Sequence, residues 1–374
     1  MNKKRIIIFS NSLWNIINFR MSLIKNLIKK KFNIYIVAPD SEQKKILIEL
    51  GCKFQPLNLQ RKSLNPINEL KIILKFIYIT LKIRPHLIIS YTIKPNIYSS
   101  IVSFILLKKN IVNFTGLGSV FIKKNFLNIC ILFIMKLVFK KTNLVTFQNK
   151  SDLKYIVDKI KYLERNSVVI PGSGVNLIDY KYDSLFKNRT NKSIKFLMIS
   201  RILKDKGVNE FFSVSKKILQ IHNNIEIFYL GDFDYNNPSF INKATFEKLV
   251  LDSNVKYLGY HNNVKEYIVE ADVVVLPSFR EGLPKSLLEA MAIGRPIIAS
   301  NVPGCSDLIE EGLNGFTFEV TDEIDFYNKM EKIINLSHKD RYTMGANGRK
   351  LVENKFAENI VIDIYLKYIN KLIN

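Results

Sequence analysis

Two doubly wound α/β domains in tandem are the fold this sequence predicts, on three observations. The chain has 374 residues, too many for one typical hydrophobic core. Short apolar runs alternate with amphipathic segments, the signature of βαβ units and a parallel sheet. The alternation lapses once, in the polar stretch from Tyr182 to Lys192, which reads as the interdomain linker, and then resumes. The first series places strands at 5–9, 33–37, 53–57, 87–90, 111–114, 144–147 and 167–170. The second places them at 195–199, 226–230, 255–258, 273–276, 296–299 and 316–318. The expected division is a first domain over 1–180 and a second over 190–354, with a C-terminal helix at about 355–374 packing back on the first. Such domains bind ligands at the carboxyl ends of their strands, so a cleft between them is the expected site.

Composition narrows the function. Hydrophobic residues make up 47% and charged residues 24%, ordinary for a globular protein. Cys52, Cys130 and Cys305 lie far apart and form no C-x-x-C pair, which fits a reducing compartment and argues against a disulfide framework or a zinc site. The first apolar run, Ile6-Ile7-Ile8-Phe9, is too short for a signal peptide and reads as a strand. The net charge of +23 is unevenly spread: residues 1–190 carry +24 and residues 191–374 carry −1. No Asp or Glu falls between Glu69 and Asp152. A basic first half suits an anionic membrane surface, a diphosphate-bearing substrate or nucleic acid. The aromatic–basic interleaving of nucleic-acid modules is missing, so nucleic acid is not an expected partner. The apolar segment 126–139, flanked by lysine pairs, is too short to span a bilayer; it reads either as a core helix or as one lying in the membrane interface. Residues 70–81 extend the same pattern.

The most informative stretch is Arg280-Glu281-Gly282-Leu283-Pro284-Lys285-Ser286-Leu287-Leu288-Glu289-Ala290. It follows the apolar strand Val273-Val274-Val275-Leu276, and Pro284 sits where a helix should begin. The amides of Gly282, Leu283 and Ser286 then point out of a helix start, an anion site. Glu281 and Glu289 flank it, suited to sugar hydroxyls, although each also reads as an ordinary helix acid. Ser200-Arg201-Ile202-Leu203-Lys204-Asp205-Lys206-Gly207 follows the first strand of the second domain. Its Arg201 and Lys206 can neutralise a departing diphosphate. Asp232-Phe233-Asp234 matches D-x-D, but with two cations and a helix end already available no metal is expected there.

R-x4-KG followed by E-x7-E resembles the retaining family-4 glycosyltransferases of GT-B architecture. Gly231 after a strand, Leu258-Gly259-Tyr260 with Val264, Gly294-Arg295-Pro296, Gly304 and Gly312-Leu313-Asn314-Gly315 complete the likeness, which covers nearly the whole second domain. The resemblance implies that Arg201 and Lys206 grip the donor diphosphate, with Ser200 and Gly231 beside them. It implies that Glu289 binds ribose hydroxyls, that Glu281 lies near the transferred sugar, and that the segment from Tyr260 to Val264 lines the base pocket. No cofactor is implied.

In the first domain Asn15, Asn18-Phe19-Arg20, Arg61-Lys62-Ser63-Leu64-Asn65-Pro66, Thr92-Ile93-Lys94-Pro95-Asn96 and Thr115-Gly116-Leu117-Gly118-Ser119 resemble a bacterial branch of the family. That branch includes the transferase adding N-acetylgalactosamine to polyprenyl-diphosphate-linked bacillosamine, and O-antigen and capsule enzymes. Asn15, Phe19, Arg20, Lys94, Thr115, Gly116 and Gly118 are the acceptor-binding candidates it implies. Many relatives carry a histidine where this chain has Thr115, so no general base is named. The resulting expectation is a UDP-sugar transferase acting on a polyprenyl-diphosphate-linked saccharide, cytoplasmic and peripheral on the inner face of the membrane. The alternative is a GT-B nucleotide-sugar epimerase or phosphorylase acting on soluble substrate.

Overall fold

The computed structural model describes residues 3–59, 65–117, 126–189, 193–235 and 237–373. They divide into two compact units, one of residues 1–173 with 359–374 and one of residues 174–358.

The first unit is built on a seven-stranded parallel sheet: β1 (Arg5–Phe9), β2 (Asn33–Ala38), β3 (Lys53–Pro56), β4 (Leu87–Tyr91), β5 (Lys109–Phe114), β6 (Leu144–Phe147) and β7 (Ser167–Val169), in the order β3-β2-β1-β4-β5-β6-β7. The second holds a six-stranded parallel sheet: β8 (Ile194–Ile199), β9 (Ile225–Leu230), β10 (Lys256–Tyr257), β11 (Val273–Leu276), β12 (Ile297–Ser300) and β13 (Gly315–Phe318), in the order β10-β9-β8-β11-β12-β13. Each expected strand is present, with ends moved by no more than about two residues, the usual scatter of such boundaries. Each sheet reverses its strand order once, between β1 and β4 in the first unit and between β8 and β11 in the second. In open parallel sheets these reversal points are where ligands bind, beyond the carboxyl ends of the strands.

Helices cover the sheets because their apolar residues recur at helical spacing. Helix Leu13–Lys29 is capped by Ser12, whose Oγ accepts from the Asn15 N–H at 3.2 Å. Its buried face is Leu13, Ile16, Arg20, Leu23, Ile24 and Leu27. Arg20 is the one charge on that stripe. The last helix, Glu358–Ile373, sets Val361, Tyr365 and Ile369 into the core that β1 and β2 share with helix Leu13–Lys29.

The polar stretch expected as a linker differs in the structure. Residues 182–189 belong to the second unit because they supply the partner of a buried cation. Arg295 is fully buried, pairs with Asp183, donates to the Ala271 carbonyl at 2.7 Å and lies over the Phe186 ring at 4.1 Å. An unpaired guanidinium there would carry a large desolvation cost, so the segment packs down on it.

Candidate active site

The second unit assembles its site from the loops after β8, β9 and β11. Three glycines set their spacing. Gly231 follows β9 so closely against the loop after β8 that a Cβ would overlap the Ser200 carbonyl oxygen. Gly207 has φ +70°, and a Cβ there would overlap the carbonyl oxygen of Pro277 in the loop after β11. Gly304, with φ +84°, packs in the same way on the Gly282 carbonyl. The Phe279 N–H donates to the Asp205 carbonyl at 2.9 Å and ties the first loop to the third across the β8/β11 reversal point.

That stitching brings Lys206 onto Glu281. The Lys206 Nζ donates to Glu281 Oε1, which also accepts from the Ser278 hydroxyl at 2.7 Å. Both partners of the ion pair are largely buried. Ser200 follows β8, with its hydroxyl 3.0 Å from the Tyr229 hydroxyl. Arg201 pairs with Asp234, so the second acid of the D-x-D sequence meets a guanidinium. Among the described residues no group of three or more His, Cys, Asp or Glu side chains is placed to hold a metal.

Helix Lys285–Ile293 begins one residue after Pro284, which occupies the cap position itself and has no side-chain cap bond. The first turn, with Ser286, therefore presents its amides without a capping side chain, next to buried Gly282 and Leu283. Glu289 lies one turn further and is 5% exposed, so it is not a solvated helix acid. Its carboxylate meets Lys285 Nζ at 3.4 Å and the hydroxyl of Tyr180. Burial pushes the Glu289 carboxyl above its ordinary range, against the opposing pull of Lys285 and Tyr180. The same burial, with Glu289 beside it, raises the Tyr180 phenol. Tyr180 has no motif signal in the sequence, since it lies more than a hundred residues from its partner. Tyr260 is exposed and donates to Asn262 at 2.8 Å, while Val264 packs at the start of helix Lys265–Glu270.

In the first unit Asn15, Phe19 and Arg20 share helix Leu13–Lys29, with Phe19 edge-on to Trp14 at 5.6 Å. Arg20 lies over the Tyr91 ring at 4.2 Å. Lys94 is held by Glu69 at 2.8 Å. Thr115 and Gly116, the latter at φ +101°, follow β5. Gly118 and Ser119, and Arg61 to Leu64, lie outside the described residues.

A family profile described as "Glycosyl transferases group 1" matches residues 183–351, and one described as "Glycosyl transferase 4-like" matches residues 6–149. The chain belongs to these glycosyltransferases. The transferase is 28% identical, over 99% of both chains, to the N,N'-diacetylbacillosaminyl-diphospho-undecaprenol alpha-1,3-N-acetylgalactosaminyltransferase of Campylobacter jejuni. It is 29% identical to the UDP-Gal:alpha-D-GlcNAc-diphosphoundecaprenol alpha-1,3-galactosyltransferase of Escherichia coli, over 55% of this chain and 47% of that one. The crystal structure of Anabaena HepE in complex with UDP superposes with a TM-score of 0.78 at 16% identity, covering 98% of this chain and 100% of that one. The fold of the transferase is GT-B.

The glycine contacts make a prediction for the transferase. Gly207→Ala is expected to push the Lys206 loop off Pro277 and lower kcat/KM about 100-fold, since misplacement by about 1 Å can cost that much. Steady-state kinetics beside a thermal melt check it: a variant that folds and turns over normally shows that the contact does not set the site.

Proposed function

We propose that this glycosyltransferase is a retaining enzyme that moves an N-acetylhexosamine, with N-acetylgalactosamine the first choice, from a UDP-sugar to a polyprenyl-diphosphate-linked saccharide. The observation that carries the reading is the Lys206–Glu281 pair set by the uncapped start of helix Lys285–Ile293, with buried Glu289 on the same helix. A helix start and a cation suit a diphosphate, and a buried carboxylate suits hydroxyls. In this reading Lys206, Arg201 and the amides near Gly282 and Ser286 hold the donor diphosphate, and Glu289 holds the ribose. The bond from the sugar's anomeric carbon to the phosphate oxygen breaks. A bond to the acceptor oxygen forms on the same face, and the acceptor's proton passes to the departing phosphate. The names of the Campylobacter and Escherichia relatives support an undecaprenyl-diphosphate-linked acceptor, and the second supports a UDP-sugar donor. The setting is assembly of bacterial surface glycans.

The first unit presents a face that suits the cytoplasmic side of an anionic membrane. On helix Pro66–Ile83 the residues Leu70, Lys71, Leu74, Lys75, Tyr78 and Leu81 are exposed at helical spacing, while Phe76 and Ile79 are buried. Helix Phe126–Val138 is likewise divided: Met135 is buried, whereas Phe133, Lys136 and Leu137 are exposed. It is thus partly core, with an outer stripe of apolar and basic residues that fits the lipid interface. Among the described residues no helix is long and apolar enough to cross a membrane.

A panel of labelled UDP-sugars offered with lipid-linked acceptors in liposomes tests the activity. Transfer from an N-acetylhexosamine donor to the lipid product is expected; epimerisation, or turnover only on soluble acceptors, would instead support the alternative reading. For the membrane, the double change Leu74→Glu and Tyr78→Glu is expected to cut binding to phosphatidylglycerol-containing vesicles about tenfold or more. Co-sedimentation that does not change would remove this face from consideration.

A further inference from the structure

The reversal point of the first sheet carries a feature that the donor-binding residues do not explain. Arg20 is only 3% exposed, in an otherwise apolar helix face. Among the described residues it forms no ion pair and its Nε has no hydrogen-bond partner; it lies over the face of the Tyr91 ring at 4.2 Å, and its charge acts on the phenols of Tyr91 and Tyr365. A buried guanidinium without a carboxylate partner is costly, and its field is weakly screened. Among the described residues, Ser10 Oγ just after β1, Asn15 Oδ1 on Arg20's own helix and Thr92 Oγ1 just after β4 are also buried without a hydrogen-bond partner. Thr92 holds φ +75° and ψ 158°, a conformation that β-branched residues avoid and that usually marks a functional site. It stands at the start of helix Ile93–Ile105, with no side-chain cap bond, so that helix turns its positive end toward the end of β4.

A guanidinium, two hydroxyls and a helix start gathered at the β1/β4 reversal point form a donor-rich cluster, the complement of a small multivalent oxyanion. We infer that this cluster is a diphosphate site of the first unit, separate from the donor diphosphate site of the second, with Arg20 as its buried cation. The assignment of that diphosphate to the polyprenyl carrier rests on the function proposed above. In that assignment the first unit recognises the phosphate link of the acceptor, whatever saccharide the lipid bears.

The test uses the full chain and inorganic pyrophosphate, titrated by calorimetry with UDP at saturation so that the donor site is filled. One pyrophosphate per chain is expected to bind. Arg20→Gln is expected to weaken it about tenfold or more, the usual scale for losing hydrogen bonds to a charged group. UDP affinity should stay within about twofold. Arg20→Lys, which keeps the charge, should retain part of the binding. Thr92→Val keeps the shape, removes one hydroxyl and serves if Arg20→Gln does not fold; it is expected to weaken pyrophosphate several-fold. Wild-type pyrophosphate affinity in the variant that folds, or no binding to the wild type with UDP present, overturns the inference. Steady-state kinetics then assign the ligand: a rise in KM for the lipid acceptor alone supports the carrier, and a rise in KM for the UDP-sugar alone overturns that assignment. Arg20-dependent pyrophosphate binding in an enzyme that transfers no UDP-sugar would sink the proposed function and leave the anion site standing.

Discussion

Glu289→Gln is expected to weaken UDP-sugar binding about 10- to 100-fold while leaving the protein no less stable at neutral pH. The binding loss follows from the proposed contact, because a charged acceptor bonded to hydroxyls is worth about 1.5–3 kcal/mol. The stability half follows from burial. Glu289 is 5% exposed, and burial lifts its carboxyl above the ordinary range. A carboxyl whose pKa is higher folded than unfolded holds its proton more tightly in the folded state. Its contribution is therefore greatest at low pH and is lost as pH rises from the ordinary carboxylate range through the raised folded value. Above that window the wild type carries a buried charge that, among the described residues, Lys285 and Tyr180 offset. Glutamine has no charge to bury. The difference in melting temperature, variant minus wild type, should grow as pH is raised from about 4 to about 8. Each unit of elevation corresponds to about 1.4 kcal/mol. A flat difference across that range, or a variant that binds UDP normally, contradicts the account.

The contrast between Glu289 and its surroundings shows what the sequence displays and what it hides. The sheets were legible because parallel strands are buried on both faces and read as continuous apolar runs. Val273 to Leu276 needed no partner to be recognised. The helix starting near Pro284 was legible because proline fits a helix start, and it proved to stand one residue outside the first turn. The charges after β8 and β11 were legible as residue types at loop positions. Their partners were not. Lys206 and Glu281 are 75 residues apart in sequence and meet because Gly207 and Gly304 permit close backbone approach. Tyr180 reaches Glu289, and Asp183 reaches Arg295, from a stretch whose polarity suggests a linker. Pattern reports which face of an element is buried; it does not report which distant side chain shares that burial. Arg20 is the sharpest case. Its helix has an apolar period that would place an aliphatic residue there, and only the fold shows that the charge stays buried with no acid to meet it among the described residues.

Lys206→Ala carries the largest expected catalytic loss. The proposed leaving group is a diphosphate, so negative charge grows on its oxygens as the glycosidic bond stretches. A preorganised donor aimed at developing charge in a partly buried site is worth about 100- to 1,000-fold in kcat. Lys206 and Glu281 are mostly shielded from solvent, whereas Arg201 is 43% exposed and paired with Asp234. The exposed guanidinium is more screened and costs less to lose, so Arg201→Ala should fall short of Lys206→Ala by about tenfold. Removing Lys206 also leaves Glu281, still bonded to Ser278, as an uncompensated negative charge beside the departing phosphate. That repulsion is absent when both residues are replaced. The Lys206→Ala, Glu281→Ala double variant should therefore lose less activity than the product of the two single losses, with a coupling of about 1 kcal/mol or more. Kinetics of the four proteins under saturating UDP-sugar settle the point. Additive losses would mean that Glu281 acts on the sugar independently of the lysine, and a Lys206→Ala enzyme within threefold of wild type would remove the lysine from the chemistry.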